Sequence, residues 1–389
     1  MENLRRKVFY LSGFDPRGAR FYYGLLDEQA AALAQQGLHL GRREKCGQDT
    51  RWTVEDTAGR LHVDFSFLGW DDLVRAHWVK GAWPLLRHVA KAYGGYLRHL
   101  DWRLVGQWPK GTQFTVFSPG AILLVVPVVL AIVFLVALQM VAPAIVPLAA
   151  SGAAALAFYW AVVLAGALVF AAAVWGYALR HFHSLWVARF MVFNDQLARR
   201  ATDPALELRL LQFARSISSA FSEEWDEILF ITHSNGSTLS VPVMAHLLAV
   251  HGGKLPGHFA LITLGSCTQL LAARRDAGWF GHLLDSLGGG GFAWLDIGSP
   301  TDGACAPLVA PCQGRPISRP PGLVQLSPRW FRYCDPATYL ARRGNKYQTH
   351  FDYLRRLDRP SSIDFLGLTC SPLRLAQAIA NFEDANAPA

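Results

Sequence analysis

A chain of 389 residues with 52% hydrophobic side chains and a mean hydropathy of +0.19 can bury a large core, and so apolar a composition asks first for a membrane segment. The 37 Lys and Arg against 29 Asp and Glu leave a net charge of +8; with no recognised nucleic-acid motif present, that surplus points to anionic lipid headgroups rather than to a nucleic-acid partner. The six cysteines include no CxxC pair, which argues against a zinc site and fits buried or free thiols in a reducing compartment.

The first residues, Met1 to Lys7, lead into a short apolar run rather than a long one, so no secretory signal is expected. Val8 to Ser12 has the composition of a buried strand and breaks at Gly13-Phe14-Asp15-Pro16-Arg17-Gly18, a strong turn signal. Phe21 to Gln36 shows helical spacing, with Leu25, Leu26, Ala30 and Leu33 on one side. His62 to Leu68 alternates with a period of two and predicts a second strand, and Asp71 then suits a helix N-cap. Strand, helix, strand, helix in this order predicts an α/β sheet.

Pro119 to Met140 contains no charged residue and is long enough to cross a bilayer core of ~30 Å. Gly152 to Leu179 is a second such stretch, and Val141 to Ala150 links them with two prolines and no charge. The pattern predicts a transmembrane hairpin, in which Pro127 is tolerable. Arg98, Arg103 and Lys110 precede the first stretch, and Arg180, Arg189, Arg199 and Arg200 follow the second. The positive-inside rule then puts both chain ends on the cytoplasmic side, and Trp102, Trp108, Trp175, Tyr177 and Trp186 suit interfacial belts. The expected organisation is a first half at 1–115, the hairpin at 116–180 and a second half at 181–389.

Beyond the hairpin, Asp203-Pro204 suits an N-cap with proline at the first helical position. Ile228 to Thr232 is a short apolar run that ends abruptly in Thr232-His233-Ser234-Asn235-Gly236, and Ser237 to Val250 then has helical composition. A strand–turn–helix of this kind stands a serine hydroxyl clear of a sheet. Phe259 to Leu264 and Phe292 to Ile297 are further strands, the latter followed by the Gly298 to Gly303 loop that carries Asp302. Ala306 to Pro321 is a proline-rich loop, Lys346 to Tyr353 carries His350, and Pro372 to Phe382 predicts a helical tail.

A serine hydroxyl needs a base to take its proton, and the base needs a carboxylate to fix its tautomer. Ser234, Asp302 and His350 follow one another in that order, with Asp302 past the C-terminal end of its strand. Asp296, inside the strand, is the alternative acid. His258, His282 and His251 are alternatives to His350, and an ordinary helix N-cap is the alternative role for Ser234. Two backbone N–H groups must converge on the oxyanion. Asn235 supplies one, and the loop after the first strand the other, with Phe14 first and Asp15 second. His233 is expected on the opposite side of the elbow, and Arg17 and Arg20 as solvated charges. No pattern suggests a metal.

These pieces resemble an α/β-hydrolase of the serine esterase or lipase type. Thr232-His-Ser-Asn-Gly236 resembles the family's G-x-S-x-G elbow, and Ser12-Gly-Phe14 its H-G-x oxyanion loop. The resemblance covers residues 8 to about 355 apart from the hairpin. It implies a mostly parallel sheet flanked by helices, no cofactor, and hydrolysis through an acyl-enzyme. Two departures stand out: Thr232 replaces the elbow's first glycine, and Ser12 replaces the loop's histidine. A cleft held at a bilayer surface would meet lipid or other apolar acyl esters. An acyltransferase or thioesterase on the same triad, or a non-catalytic membrane scaffold with the same fold, are the alternatives.

Overall fold

The computed structural model describes residues 3–145, 152–181, 184–355 and 357–387. It is an α/β protein built on a nine-stranded sheet: β1 (Leu4–Leu11), β2 (Leu38–Leu40), β3 (Glu44–Cys46), β4 (Asp49–Asp56), β5 (Leu61–Phe67), β6 (Glu227–His233), β7 (Phe259–Leu264), β8 (Ala293–Ile297) and β9 (Leu323–Leu326). The spatial order is β2-β4-β5-β1-β6-β7-β8-β9, with β3 paired to β4. From β5 to β9 every pairing is parallel, and β2, β3 and β4 add an antiparallel edge.

The composition of the central strands explains their place. All seven residues of β6 and all six of β7 are buried, as strands with helices on both faces require. Val8, Phe65, Leu229 and Ile262 are fully buried, and each such side chain contributes roughly 1.5–3 kcal/mol. The register aligns the strand ends: Leu11 pairs with Thr232, His233 with Leu264, and Leu264 with Ile297. The loops carrying Ser12 to Asp15, Ser234, Cys267 and Asp302 therefore leave the same edge of the sheet.

The other edge is closed by a buried ion pair. Arg6 Nε donates to Glu227 Oε2 at 2.7 Å, with the Arg6 side chain fully buried. Its remaining donors reach Thr369 O, Ser371 O and Leu373 O, and Glu227 Oε1 accepts from Leu375 N. This cluster ties the C-terminal helix, Leu375–Ala385, to the starts of β1 and β6.

Several elements differ from expectation. The stretch expected as one helix from Phe21 to Gln36 is two, Gly18–Asp27 and Ala30–Gln35. Asp71 is the first helical residue rather than the cap, which is Trp70. The tail helix starts at Leu375, later than expected. Asp203 does cap its helix, accepting from Ala205 N.

The chain divides into two compact units, one of residues 1–78, 98–113 and 196–389, the other of 79–97 and 114–195. The second unit contains the whole segment expected as the hairpin, 116–180, and extends beyond it on both sides. One helical path runs Lys110–Gly120, then a π-turn at Ala121–Val125, then Val126–Ile145. Pro119 and Pro127 flank the π-turn, and Trp175 Nε1 donates to Ile122 O within it. Gly120 lies against the Tyr93 ring, where a Cβ would come within 2.5 Å. Lys110–Phe134 is long and apolar enough to cross a membrane, and an 18-residue window within it has a mean hydropathy of 2.6 and is 29% buried. A second apolar helix spans Ala153–His181. The helix ending at Ile145 runs into the link expected from Val141, and the rest of that link, residues 146–150, falls outside the described residues.

Candidate active site

Ser234 joins β6 to the helix Asn235–Val250 with φ 55° and ψ −125°. A residue other than glycine held there is strained by about 1–3 kcal/mol, a cost the surroundings must offset. Its side chain makes no N-cap hydrogen bond, so the ordinary capping role is not filled. Three close approaches hold the corner. A Cβ on Gly236 would lie 2.4 Å from Leu11 O, so the elbow passes directly over β1. A Cβ on Gly13 would lie 2.7 Å from Ser234 Cβ and 3.1 Å from its Oγ. Ser237 Oγ donates to Ser234 O and accepts from Cys267 N. Thr232 fits where a glycine was the pattern: it is fully buried, and its Oγ1 reaches across to Ile262 O at 3.3 Å.

Asp302 lies in the loop after β8 with its side chain fully buried. His350 Nδ1 donates to its Oδ2 at 2.9 Å, and Ala304 N donates to its Oδ1 at 2.9 Å. Burial opposes the carboxylate's charge, but His350 and these hydrogen bonds hold it below the ordinary carboxylate range. The bond at Nδ1 leaves His350 Nε2 as the proton acceptor. Gly265, with φ 56°, makes room for the pair: a Cβ there would meet Tyr353 at 2.8 Å and Asp302 Oδ2 at 3.1 Å. The alternative acid, Asp296, is bound elsewhere, by Thr263 Oγ1 at 2.6 Å and Gln325 Nε2 at 3.0 Å. Burial pushes it up to about 6.

His350 sits in the last turn of the helix Lys346–Phe351, capped by Asn345. His233 does not point away from it. The two imidazoles lie 4.8 Å apart, and His233 Nε2 donates to His350 O at 2.8 Å. Burial, then the neighbouring His350, hold His233 down at about 3, so it stays neutral. Arg17 is likewise no solvated charge. It binds both oxygens of buried Asp15, covers the Phe21 ring at 3.5 Å and approaches the Phe351 ring at 4.8 Å. It therefore braces the loop after β1 against the helix that carries His350.

Of the two N–H groups expected to hold an oxyanion, that of Asn235 opens its helix and belongs to the first turn, which has no intrahelical acceptor. Asp15 N–H is committed to Gly13 O at 2.8 Å, which leaves Phe14 as the candidate in that loop. Phe14 is buried, its ring stacked 5.5 Å from Trp78. Ser234 Oγ makes its hydrogen-bond contact with Cys267 Sγ at 3.8 Å, and among the described residues it has no hydrogen bond to His350. Burial pushes the Cys267 thiol up to about 12, so it faces the serine uncharged. Cys267 carried no sequence signal beyond following β7. Among the described residues no cluster of His, Cys, Asp and Glu could hold a metal ion. A scan against protein-family models and searches of curated proteins and of solved structures find no match to this chain.

Proposed function

We propose that this chain is a membrane-anchored serine hydrolase of the α/β-hydrolase type that cleaves carboxylic esters of lipid or other apolar acyl substrates. The observation that carries the reading is the strained Ser234 under Gly13 at the same sheet edge as a formed His350–Asp302 pair. Strain at a single non-glycine corner is what a nucleophile elbow stores. In this reading Ser234 attacks the ester carbonyl and His350 Nε2 takes its proton. Asp302 holds the imidazole's tautomer and stabilises the imidazolium. The N–H groups of Phe14 and Asn235 hold the oxyanion. The alkoxide leaves with the proton from His350, and water then releases the acid by the same steps in reverse order. The Ser234–His350 contact forms when substrate displaces Oγ from Cys267, since such bonds often tighten only in the complex.

The membrane part rests on the apolar helices. Their exposed side chains include Met140 at 77%, Phe158 at 73% and Val169 at 69%, which suits lipid rather than water around them. The two stretches as a spanning hairpin, with both chain ends cytoplasmic, follow from the Lys and Arg in the flanks and none in the link. No cofactor or metal enters the mechanism. The test is turnover of a series of nitrophenyl esters by the chain in detergent, with hydroxylamine to intercept the acyl-enzyme. Turnover abolished by Ser234→Ala supports the reading, and turnover that survives it ends the reading.

A further inference from the structure

The positive charge of this chain is unevenly placed. Residues 329–359 hold eight Lys and Arg against three Asp, a surplus of five within the whole chain's +8. The described residues of this stretch form three successive α-helices. The helix Trp330–Tyr333 leads into Pro336–Arg343, and that into Lys346–Phe351. The Phe331 and Tyr339 rings lie 6.5 Å apart, Lys346 Nζ donates to Arg343 O, and Arg359 returns to donate to Cys334 O. The eight-residue helix Pro336–Arg343 has no buried residue at all. Phe331 and Leu340 are each 57% exposed, and Arg332, Arg343 and Lys346 are exposed in the same stretch, Arg332 also donating to Asn386 Oδ1 and Lys346 to Thr301 O. Two of the three acids are occupied: Asp352 faces Arg342 and Arg355, and Asp358 accepts from Asp335 N.

A soluble anion or a nucleic acid would be served by the cations alone. Large apolar side chains among exposed cations suit a layer that is anionic outside and hydrocarbon beneath. We propose that the surface built on Trp330–Tyr333 and Pro336–Arg343 docks on an anionic lipid bilayer, Phe331 and Leu340 entering the headgroup layer and Arg332, Arg343 and Lys346 meeting lipid phosphates. Each such cation strengthens the contact about fivefold. Docking here lays the segment that ends in His350 along the lipid. The inference goes beyond the hydrolase reading, because it requires no chemistry at Ser234.

Cys46 is the one exposed cysteine of the six, so Cys46→Ser clears the background for a single probe. The full chain carrying Leu340→Cys, labelled with the environment-sensitive fluorophore NBD, is reconstituted in vesicles of phosphatidylcholine with or without phosphatidylglycerol. Phe331→Cys provides a second probe position. We expect a blue shift that needs phosphatidylglycerol, reverses in high salt, and requires about fivefold more anionic lipid after Arg343→Gln. Equal emission from both probes in the two vesicle types overturns the proposal. So does an equal shift produced by polyuridylic acid over phosphatidylcholine. Fluorophosphonate labelling of the same vesicles separates the two readings. Labelled protein with an unresponsive probe sinks the docking surface alone, and a responsive probe on unlabelled protein sinks the hydrolase alone.

Discussion

Gly13→Ala is the substitution that most sharply probes the elbow. The added Cβ would stand 2.7 Å from Ser234 Cβ, 3.1 Å from its Oγ and 3.3 Å from His233 O. Ordinary carbon contacts lie near 3.5–4.0 Å, so the loop must recede by about 1 Å. Ser234 cannot give way, because its strained backbone is wedged between β1 and the Ser237 contacts. A misplacement of about 1 Å at a reacting centre costs on the order of a hundredfold in rate, and Gly13 precedes the proposed oxyanion donor. Overpacking should cost only about 1–3 kcal/mol of stability. The assay is the second-order rate of fluorophosphonate labelling, read beside thermal unfolding. Gly24→Ala is the control: nothing lies within 4 Å of that Cβ, and the helix should gain about 0.5–1 kcal/mol with labelling unchanged. Labelling of Gly13→Ala within threefold of the parent would refute the reasoning.

The two carboxylates near β8 should separate cleanly: Asp302→Asn should slow turnover on the order of 10⁴-fold by reversing the His350 tautomer, whereas Asp296→Asn should leave it within a few fold. Equal losses in steady-state assays would undo the assignment. His233 is held at about 3 against an ordinary 6.5, so the unfolded chain binds more protons between those values. That contribution is complete above pH 6.5 and drains as pH falls, by up to about 1.4 kcal/mol per pH unit. His233→Gln keeps a donor for His350 O and should flatten this acid arm in melts across pH; an unchanged slope contradicts it. Arg6→Met should cost about 3–5 kcal/mol, since it strands Glu227 and three carbonyls. Limited proteolysis should then cut first near Leu375–Ala385, and a chain melting as before would count against the account.

The pieces of the site that were legible in sequence are those where local chemistry forces one backbone. Ile228 to Gly236 combines an apolar run with a small-residue turn, and the structure puts the corner at Ser234 itself. Phe259 to Leu264 is a strand with the expected ends because it is apolar throughout and bounded by turns. The antiparallel edge was invisible. Asp49–Asp56 mixes Thr, Trp and Val with four charged residues, and one of these, Asp56, is buried along with Trp52 and Val54, so its period is blurred in the sequence. Leu323–Leu326 is four half-buried residues beside a proline loop. The contacts of His233 with His350 and of Arg17 with the Phe351 ring are tertiary, made across more than 100 residues in the first case, and no spacing rule encodes them. Cys267 beside Ser234 belongs to the same class.

The central claim is that Ser234 is a nucleophile. Treating the intact chain with a fluorophosphonate and mapping the adduct by peptide mass spectrometry tests it most directly. One adduct per chain is expected, on the peptide that contains Ser234, absent from Ser234→Ala and strongly slowed in His350→Ala. An unmodified Ser234 in folded protein, or an adduct that persists in Ser234→Ala, would contradict it.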